Sequence, residues 1–216
     1  MKARVIKTTG KWYLVKNSDS SLIECRLKGK FRTQGLKSTS PIVVGDMVEI
    51  KNDSFSWMIV RLLERKNCIV RKSVKLSKQT HIIASNIDQA ILMITLKNPV
   101  TSTGFIDRFL LAASSYNIPV MLLFNKLDIY NDKLLFQQKE LARLYKSIGY
   151  DVLGFSVLND DLSKLKRRMK KKINVICGHS GVGKSTLINS LDPNLNIYTK
   201  EISKIHKQGQ HATTFT

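Results

Sequence analysis

Nine consecutive residues constrain this chain more than any others: Gly178-His179-Ser180-Gly181-Val182-Gly183-Lys184-Ser185-Thr186. They fill the phosphate-loop pattern of Gly, four residues, Gly-Lys-Ser/Thr without a mismatch. The run before them, Ile173-Asn174-Val175-Ile176-Cys177, predicts a short buried strand, and the run from Ser185 to Leu191 predicts the start of a helix. Strand, glycine loop and helix N-terminus are the context that confirms such a match. The physics is anion capture. Glycines let successive backbone N–H groups turn inward around phosphate oxygens, and the helix start adds its dipole and unpaired donors. In this pattern Lys184 reaches the β- and γ-phosphates and the Ser185 hydroxyl binds Mg2+.

A second motif precedes the first. Val120-Met121-Leu122-Leu123-Phe124 is an apolar run suited to a central parallel strand. It ends in Asn125-Lys126-Leu127-Asp128, an Asn-Lys-x-Asp tetrapeptide. Asp128 at the C-terminal end of such a strand can accept hydrogen bonds from both the ring N–H and the exocyclic amine of guanine, a donor pair adenine lacks. Asn125 is expected to tie the loop down, and the Lys126 stem to lie over the base. A third candidate, Asp151-Val152-Leu153-Gly154-Phe155, predicts a strand ending at Ser156-Val157-Leu158. Ser156 stands where GTPases place a Ser-Ala-Lys-like turn against the guanine oxygen, although Val157 and Leu158 depart from that pattern.

The motif order is therefore base, base, phosphate, which is a circular permutation. Here the chain resembles the RsgA (YjeQ) family of circularly permuted GTPases that assist assembly of the small ribosomal subunit. The resemblance runs along nearly the whole sequence. It is carried by Cys25-Arg26-Leu27-Lys28-Gly29-Lys30-Phe31-Arg32, by Val44-Gly45-Asp46-Met47-Val48-Glu49, and by Ala84-Ser85-Asn86-Ile87-Asp88-Gln89. Ile106-Asp107-Arg108-Phe109-Leu110-Leu111-Ala112-Ala113 extends it. Near the end, Gly209-Gln210-His211-Ala212-Thr213-Thr214 is similar to the family's Gly-Arg-His-Thr-Thr-Thr switch, with Gln210 for Arg and Ala212 for Thr. The resemblance implies GTP with Mg2+ as ligands, the metal held by Ser185 and by Thr213 or Thr214. It implies Lys184 and His211 as the catalytic pair; His211 either helps position the attacking water or serves as a structural or RNA-contacting residue.

The family continues past that switch to an Asp-x-x-Gly motif and a zinc-binding helical domain, and this sequence ends at Thr216 before both. Two expectations follow from the resemblance. The first is a GTP hydrolase that assists late maturation of the small ribosomal subunit through rRNA. The second is a GTP- and RNA-binding module that does not turn over, because the Asp and Gly that complete the Mg2+ and γ-phosphate contacts lie outside the 216 residues. An ATPase is disfavoured by Asn125 and Asp128.

Charge agrees with a nucleic-acid partner. The chain holds 36 Lys+Arg against 16 Asp+Glu, a formal +20. Residues 1–80 carry 18 basic and 6 acidic residues, and the remainder 18 and 10, so the smaller N-terminal part is the more basic per residue. Such a balance attracts phosphate backbones. No run approaches the ~20 apolar residues of a membrane span, and Met1 to Val15 has no apolar centre of a signal peptide. A cytoplasmic or organelle-stroma location is expected, a plastid included, and not secretion. Cys25, Cys68 and Cys177 are odd in number and widely spaced, which predicts reduced thiols and no zinc site. A monomer is expected.

The architecture expected is β followed by α/β. Residues 1–75 predict an OB-type barrel from strands Ala3–Ile6, Trp12–Lys16, Ser21–Leu27, Pro41–Ile50 and Met58–Leu63. Trp12, Tyr13, Phe31 and Trp57 either stack on bases or fill the barrel core. Arg61, Arg65, Lys66, Arg71 and Lys72, with Lys75 and Lys78 beyond, form a basic run leaving the barrel and are the candidate RNA-binding residues. Residues 80–216 predict an incomplete permuted GTPase domain on a parallel doubly wound sheet. Its strands are Gln89–Thr95, Val120–Phe124, Asp151–Phe155 and Ile173–Cys177, and its helices Thr103–Tyr116, Asp132–Ile148, Asp160–Lys171 and Lys184–Leu191. Lys164 to Lys172 carries seven basic residues in nine, either a solvated helix end suited to the dipole or an RNA site, the first preferred.

Overall fold

A computed structural model describes residues 1–27, 41–53, 56–72 and 80–195. The chain divides into two compact units, Met1–Ile87 and the residues from Asp88 onward.

The first unit is a closed five-stranded barrel with strand order β1-β2-β3-β5-β4. Its strands are β1 (Lys2–Thr9), β2 (Trp12–Asn17), β3 (Leu22–Leu27), β4 (Met47–Asn52) and β5 (Trp57–Leu62). Neighbours pair antiparallel except β3 and β5, which run parallel through Cys25↔Trp57 to Leu27↔Ile59. That closure is the OB topology. Side chains alternate across each strand, so Ala3, Val5, Tyr13, Val15, Cys25, Val48, Ile50 and Ile59 fill one core. Register shifts at Val5/Lys7 and at Glu49/Ile50 supply the bends a small barrel needs.

Two expectations change here. The strand expected over Pro41–Ile50 begins only at Met47. Gly45 turns the chain with φ +94°, and a Cβ there would collide with the Ser85 carbonyl oxygen. Asp46 then accepts the Val43 N–H at 2.8 Å, so the apolar run Ile42-Val43-Val44 folds into a turn. The segment after the barrel, read only as a basic run, holds a strand pair that was not expected. It contains β6 (Cys68–Lys72), paired antiparallel with β7 (Thr80–Ser85).

The second unit is a four-stranded parallel sheet in the order β10-β9-β8-β11. Its strands are β8 (Gln89–Ile94), β9 (Val120–Phe124), β10 (Asp151–Gly154) and β11 (Asn174–Cys177). Helices α1 (Thr103–Ser115), α2 (Asp132–Ser147), α3 (Ser163–Met169) and α4 (Lys184–Leu191) connect or follow them. Every residue of β8 and β9 is buried, as central strands covered on both faces must be. Ser102 and Asn131 cap α1 and α2 by accepting the N–H groups of Phe105 and Leu134. The third helix is shorter than Asp160–Lys171. Asp160 turns back to accept the Ser156 N–H at 2.6 Å and Asp161 accepts the Ser163 N–H at 2.9 Å, so helical bonding starts at Ser163. Left-handed Lys171, φ +60°, closes its far end.

The chain steps from β8 to β9 and β10 on one side, then returns to place β11 on the other. That reversal is the topological switch at which open α/β sheets bind ligands, beyond the C-terminal ends of their strands. The loops after β8, β9, β10 and β11 all emerge there.

Candidate nucleotide-binding site

The phosphate loop leaves β11 at Gly178 and enters α4 at Lys184. Gly178, Gly181 and Gly183 hold φ values of +144°, +81° and +100°. A Cβ on Gly178 would lie 2.7 Å from the Met93 carbonyl oxygen, and one on Gly183 would lie 2.5 Å from Asn125 Nδ2. Glycine is needed at these two positions for space as well as for backbone conformation. Between them Val182 is wholly buried in the same core as Met93, Leu123 and Leu187, which anchors the loop to the sheet.

Lys184 Nζ donates to the carbonyl oxygens of Gly178, 2.9 Å, and His179, 2.8 Å. The ammonium thus sits over the mouth of the loop rather than out in solvent. Burial pushes the Lys184 pKa down, with Cys177 acting weakly the other way. The His179 ring packs on Phe105 with centroids 4.1 Å apart. Burial, then the neighbouring Lys184 charge, lowers its pKa and so favours the neutral ring. Burial raises the Cys177 thiol to about 11, which keeps it protonated beside the loop. Gly183 is the N-cap of α4 and makes no side-chain capping bond, and a helix start of this kind can take an anion as its capping partner.

Asn125 joins the phosphate side to the base side. It is 3% exposed. Its Nδ2 donates to the Val182 carbonyl at 2.8 Å, and its Oδ1 accepts the Val157 N–H at 3.1 Å. One amide therefore holds the loops after β9, β10 and β11 in mutual register. Lys126 follows in a left-handed conformation, φ +64°, and its Nζ donates to the Asn98 carbonyl at 2.6 Å. Burial lowers its pKa, while nearby Asp128 opposes the shift. Asp128 lies on a short 3-10 turn, Leu127–Ile129, with its carboxylate exposed. The turn borders a cavity of about 300 Å³ whose wall includes Asn98, Asn125, Lys126, Asp128, Ser156, Val157, Leu158, Gly183 and Thr186. Ser156 is buried and shapes the wall through its backbone: its N–H goes to Asp160 and its carbonyl accepts from Asn159 and Asp160.

The residues read separately as base and phosphate motifs thus converge on one crevice. His211, Thr213 and Thr214 lie outside the described residues. Among the described residues no cluster of three or more His, Cys, Asp or Glu side chains could hold a metal ion. The donor set at α4 suits Mg2+ all the same, since that ion keeps most of its waters and takes one or two protein oxygens plus substrate phosphates.

The basic residues of the first unit separate by environment. Arg65 makes a two-pronged ion pair with Asp46, Nε to Oδ1 and Nη2 to Oδ2, both 2.7 Å, and Nη2 also reaches the Pro41 carbonyl. Asp46 is wholly buried and also accepts the Ser85 hydroxyl at 2.5 Å. Arg61, by contrast, is 70% exposed and only loosely faces Glu49 at 3.9 Å. The Lys66 N–H donates to Asn86 Oδ1 at 2.8 Å. Arg71 and Lys72 belong to β6, and their side chains, like Phe31, are outside the described set. Tyr13 is core, Trp57 packs against that core, and Trp12 remains 40% exposed with the Arg26 guanidinium 4.0 Å above its ring.

A permuted phosphate-loop domain with a guanine-type base loop, preceded by an OB-type barrel, defines the class: a circularly permuted GTPase. Comparison with known proteins narrows it. A family model described as RsgA GTPase matches residues 62–216, and one described as RsgA N-terminal domain matches residues 2–56. The chain belongs to the RsgA family. A "Small ribosomal subunit biogenesis GTPase RsgA" from Christiangramia forsetii is 53% identical over 220 residues, covering 100% of this chain and 70% of the relative. One from Bacteroides fragilis is 47% identical over 218 residues with the same coverage. Among solved structures, YjeQ from Thermotoga maritima superposes with TM-score 0.75 at 33% identity, covering 96% of this chain and 72% of that one. YloQ, titled a circularly permuted GTPase, gives 0.69 at 29% identity over 89% and 64%.

Proposed function

We propose that this chain binds GTP and GDP with Mg2+, hydrolyses GTP, and serves late maturation of the small ribosomal subunit through contacts of its barrel with rRNA. The observation that carries the nucleotide reading is the Asn125 amide, which locks the phosphate loop at Val182 to the base loop at Val157 around one cavity. Asp128 offers that cavity a carboxylate for the two donors of guanine, Lys126 covers the base, and Ser156 closes the wall. Backbone N–H groups of His179 to Thr186 receive the phosphates, with Lys184 moving from its loop carbonyls onto the β- and γ-oxygens. Mg2+ would rest on Ser185, and with Thr213 or Thr214 it would neutralise charge developing on the phosphates. His211 would hold the attacking water. The names of the relatives favour hydrolysis over a module that only binds.

The ribosomal part rests on family membership and charge. Arg61, Lys66, Arg71 and Lys72 are the barrel-side cations assigned to rRNA phosphates, and a cytoplasmic site of action follows from that partner. Among the described residues no helix is long and apolar enough to cross a membrane.

Calorimetry tests the nucleotide reading. GTP and GDP should bind in preference to ATP, and Ser185→Ala should weaken chiefly the Mg2+-dependent part. Lys184→Ala should abolish detectable binding and leave the thermal transition nearly in place, because the ammonium bonds only loop carbonyls and fills no part of the apolar core. Undiminished GTP affinity in Lys184→Ala would sink the assignment.

A further inference from the structure

The base loop is held by a residue that neither motif contains. Tyr130 is 7% exposed, and both functions of its hydroxyl are used. It accepts the Leu96 N–H at 2.6 Å and donates to the Asn125 carbonyl at 3.0 Å. Its own backbone N–H closes the 3-10 turn by donating to the Leu127 carbonyl at 3.2 Å. The segment from Asn125 to Tyr130 is therefore a closed ring. Asp128 sits at its tip and left-handed Lys126 on its shoulder.

The same phenol ties that ring to the turn after β8. This turn supplies the Asn98 carbonyl that receives Lys126 Nζ at 2.6 Å. It is itself braced internally, Thr95 Oγ1 to the Pro99 carbonyl at 2.5 Å and the Thr101 N–H to the Thr95 carbonyl at 2.7 Å. Burial raises the phenol to about 12, so it stays protonated and can donate throughout the physiological range.

We propose that Tyr130 is a positioning residue for base recognition: its hydroxyl clamps the Asn125–Lys126 backbone to the turn at Leu96 and thereby sets where Asp128 presents its carboxylate. The proposal rests on the guanine reading of the cavity. A buried hydroxyl with two backbone partners cannot be removed without leaving the Leu96 N–H unsatisfied, so the ring must rearrange. A carboxylate that makes two parallel bonds to a base edge loses the most from such a shift, because both distances and both angles must hold together.

The test compares GTP with inosine triphosphate, which lacks the exocyclic amine and so reports one of the two Asp128 bonds. The parent chain should prefer GTP by about tenfold, the value of one charge-assisted hydrogen bond. Tyr130→Phe should weaken GTP on the order of tenfold and cut the preference to about threefold or less. A variant that binds both nucleotides more weakly, or melts earlier, but keeps the parent preference would overturn the positioning role and leave the guanine reading intact. A parent chain with no preference would overturn the guanine reading and this role with it. Should Tyr130→Phe fail to fold, amide exchange in the parent decides. GDP should slow exchange at Leu96, and a Leu96 amide indifferent to GDP would count against the clamp.

Discussion

Residue by residue, the separation of Arg65 from Arg61 has the clearest consequence. Both belong to one basic run in the sequence, and nothing in their spacing distinguishes them. Burial does. Arg65 neutralises a carboxylate with no access to water, while Arg61 is solvated. Arg65→Ala should therefore cost about 3–5 kcal/mol, the cost of a buried charge left alone. Arg61→Ala should stay within about 0.5 kcal/mol. Urea unfolding of the two variants checks this, and equal midpoints would contradict the structure. The pairing also removes Arg65 from any clean test of RNA binding, since its loss is expected to unfold the turn at Asp46 that pins Val43 and Ser85. Asn125 is the opposite case. Its expected task of tying a loop down is visible in its bonds, but the sequence gives no hint that one of the tied loops is the phosphate loop 57 positions away.

Among the elements, those with strong periodicity or a fixed motif were legible. The bounds of β9 and α4 coincide with expectation, because an unbroken apolar run and a glycine-to-helix junction leave little freedom. Elements shaped by side chain-to-backbone bonds were not. Asp46 converts an apparent strand into a turn, Asp160 and Asp161 delay α3, and the β6–β7 ribbon was hidden by the charges around it. Tyr130 escaped for a related reason: its partner at Leu96 lies 34 residues away, and no local pattern marks it. The phosphate loop allows a sharp prediction at this scale. Gly183→Ala should destabilise the fold by on the order of 1–3 kcal/mol, since φ +100° is strained for any other residue. It should also drive a methyl against Asn125 Nδ2, breaking the link to the base loop. GTP affinity should fall even at temperatures where the variant is fully folded. Normal affinity in a folded Gly183→Ala chain would show that the amide link is dispensable.

For the molecule as a whole, the charge of +20 dominates encounters with nucleic acid. Binding of small-subunit rRNA should need no nucleotide and should weaken steeply as salt rises, the signature of counterion release. Charge reversal at Arg61 and Lys66 together, with Arg65 kept, should weaken it across RNA sequences and flatten the salt slope. Filter binding over a salt series measures both, and a slope unaffected by the double reversal would place the RNA surface elsewhere. The two-part architecture was legible because its strands change from short, turn-punctuated and alternating to apolar and helix-separated, and the units divide after Ile87, some residues past the change expected near 75–80.

We propose that the permuted motif order still builds one guanine-specific crevice, with Asp128 reading the base. The direct measurement is nucleotide affinity of the parent and of Asp128→Asn for GTP, ATP and xanthosine triphosphate. The parent should prefer GTP over ATP by at least about tenfold, roughly 1.4 kcal/mol. In the variant the preference should pass to xanthosine triphosphate, whose exocyclic carbonyl oxygen stands in place of guanine's amine and accepts from the new amide. Equal affinity of the parent for GTP and ATP, or an Asp128→Asn chain that still prefers GTP, would contradict it.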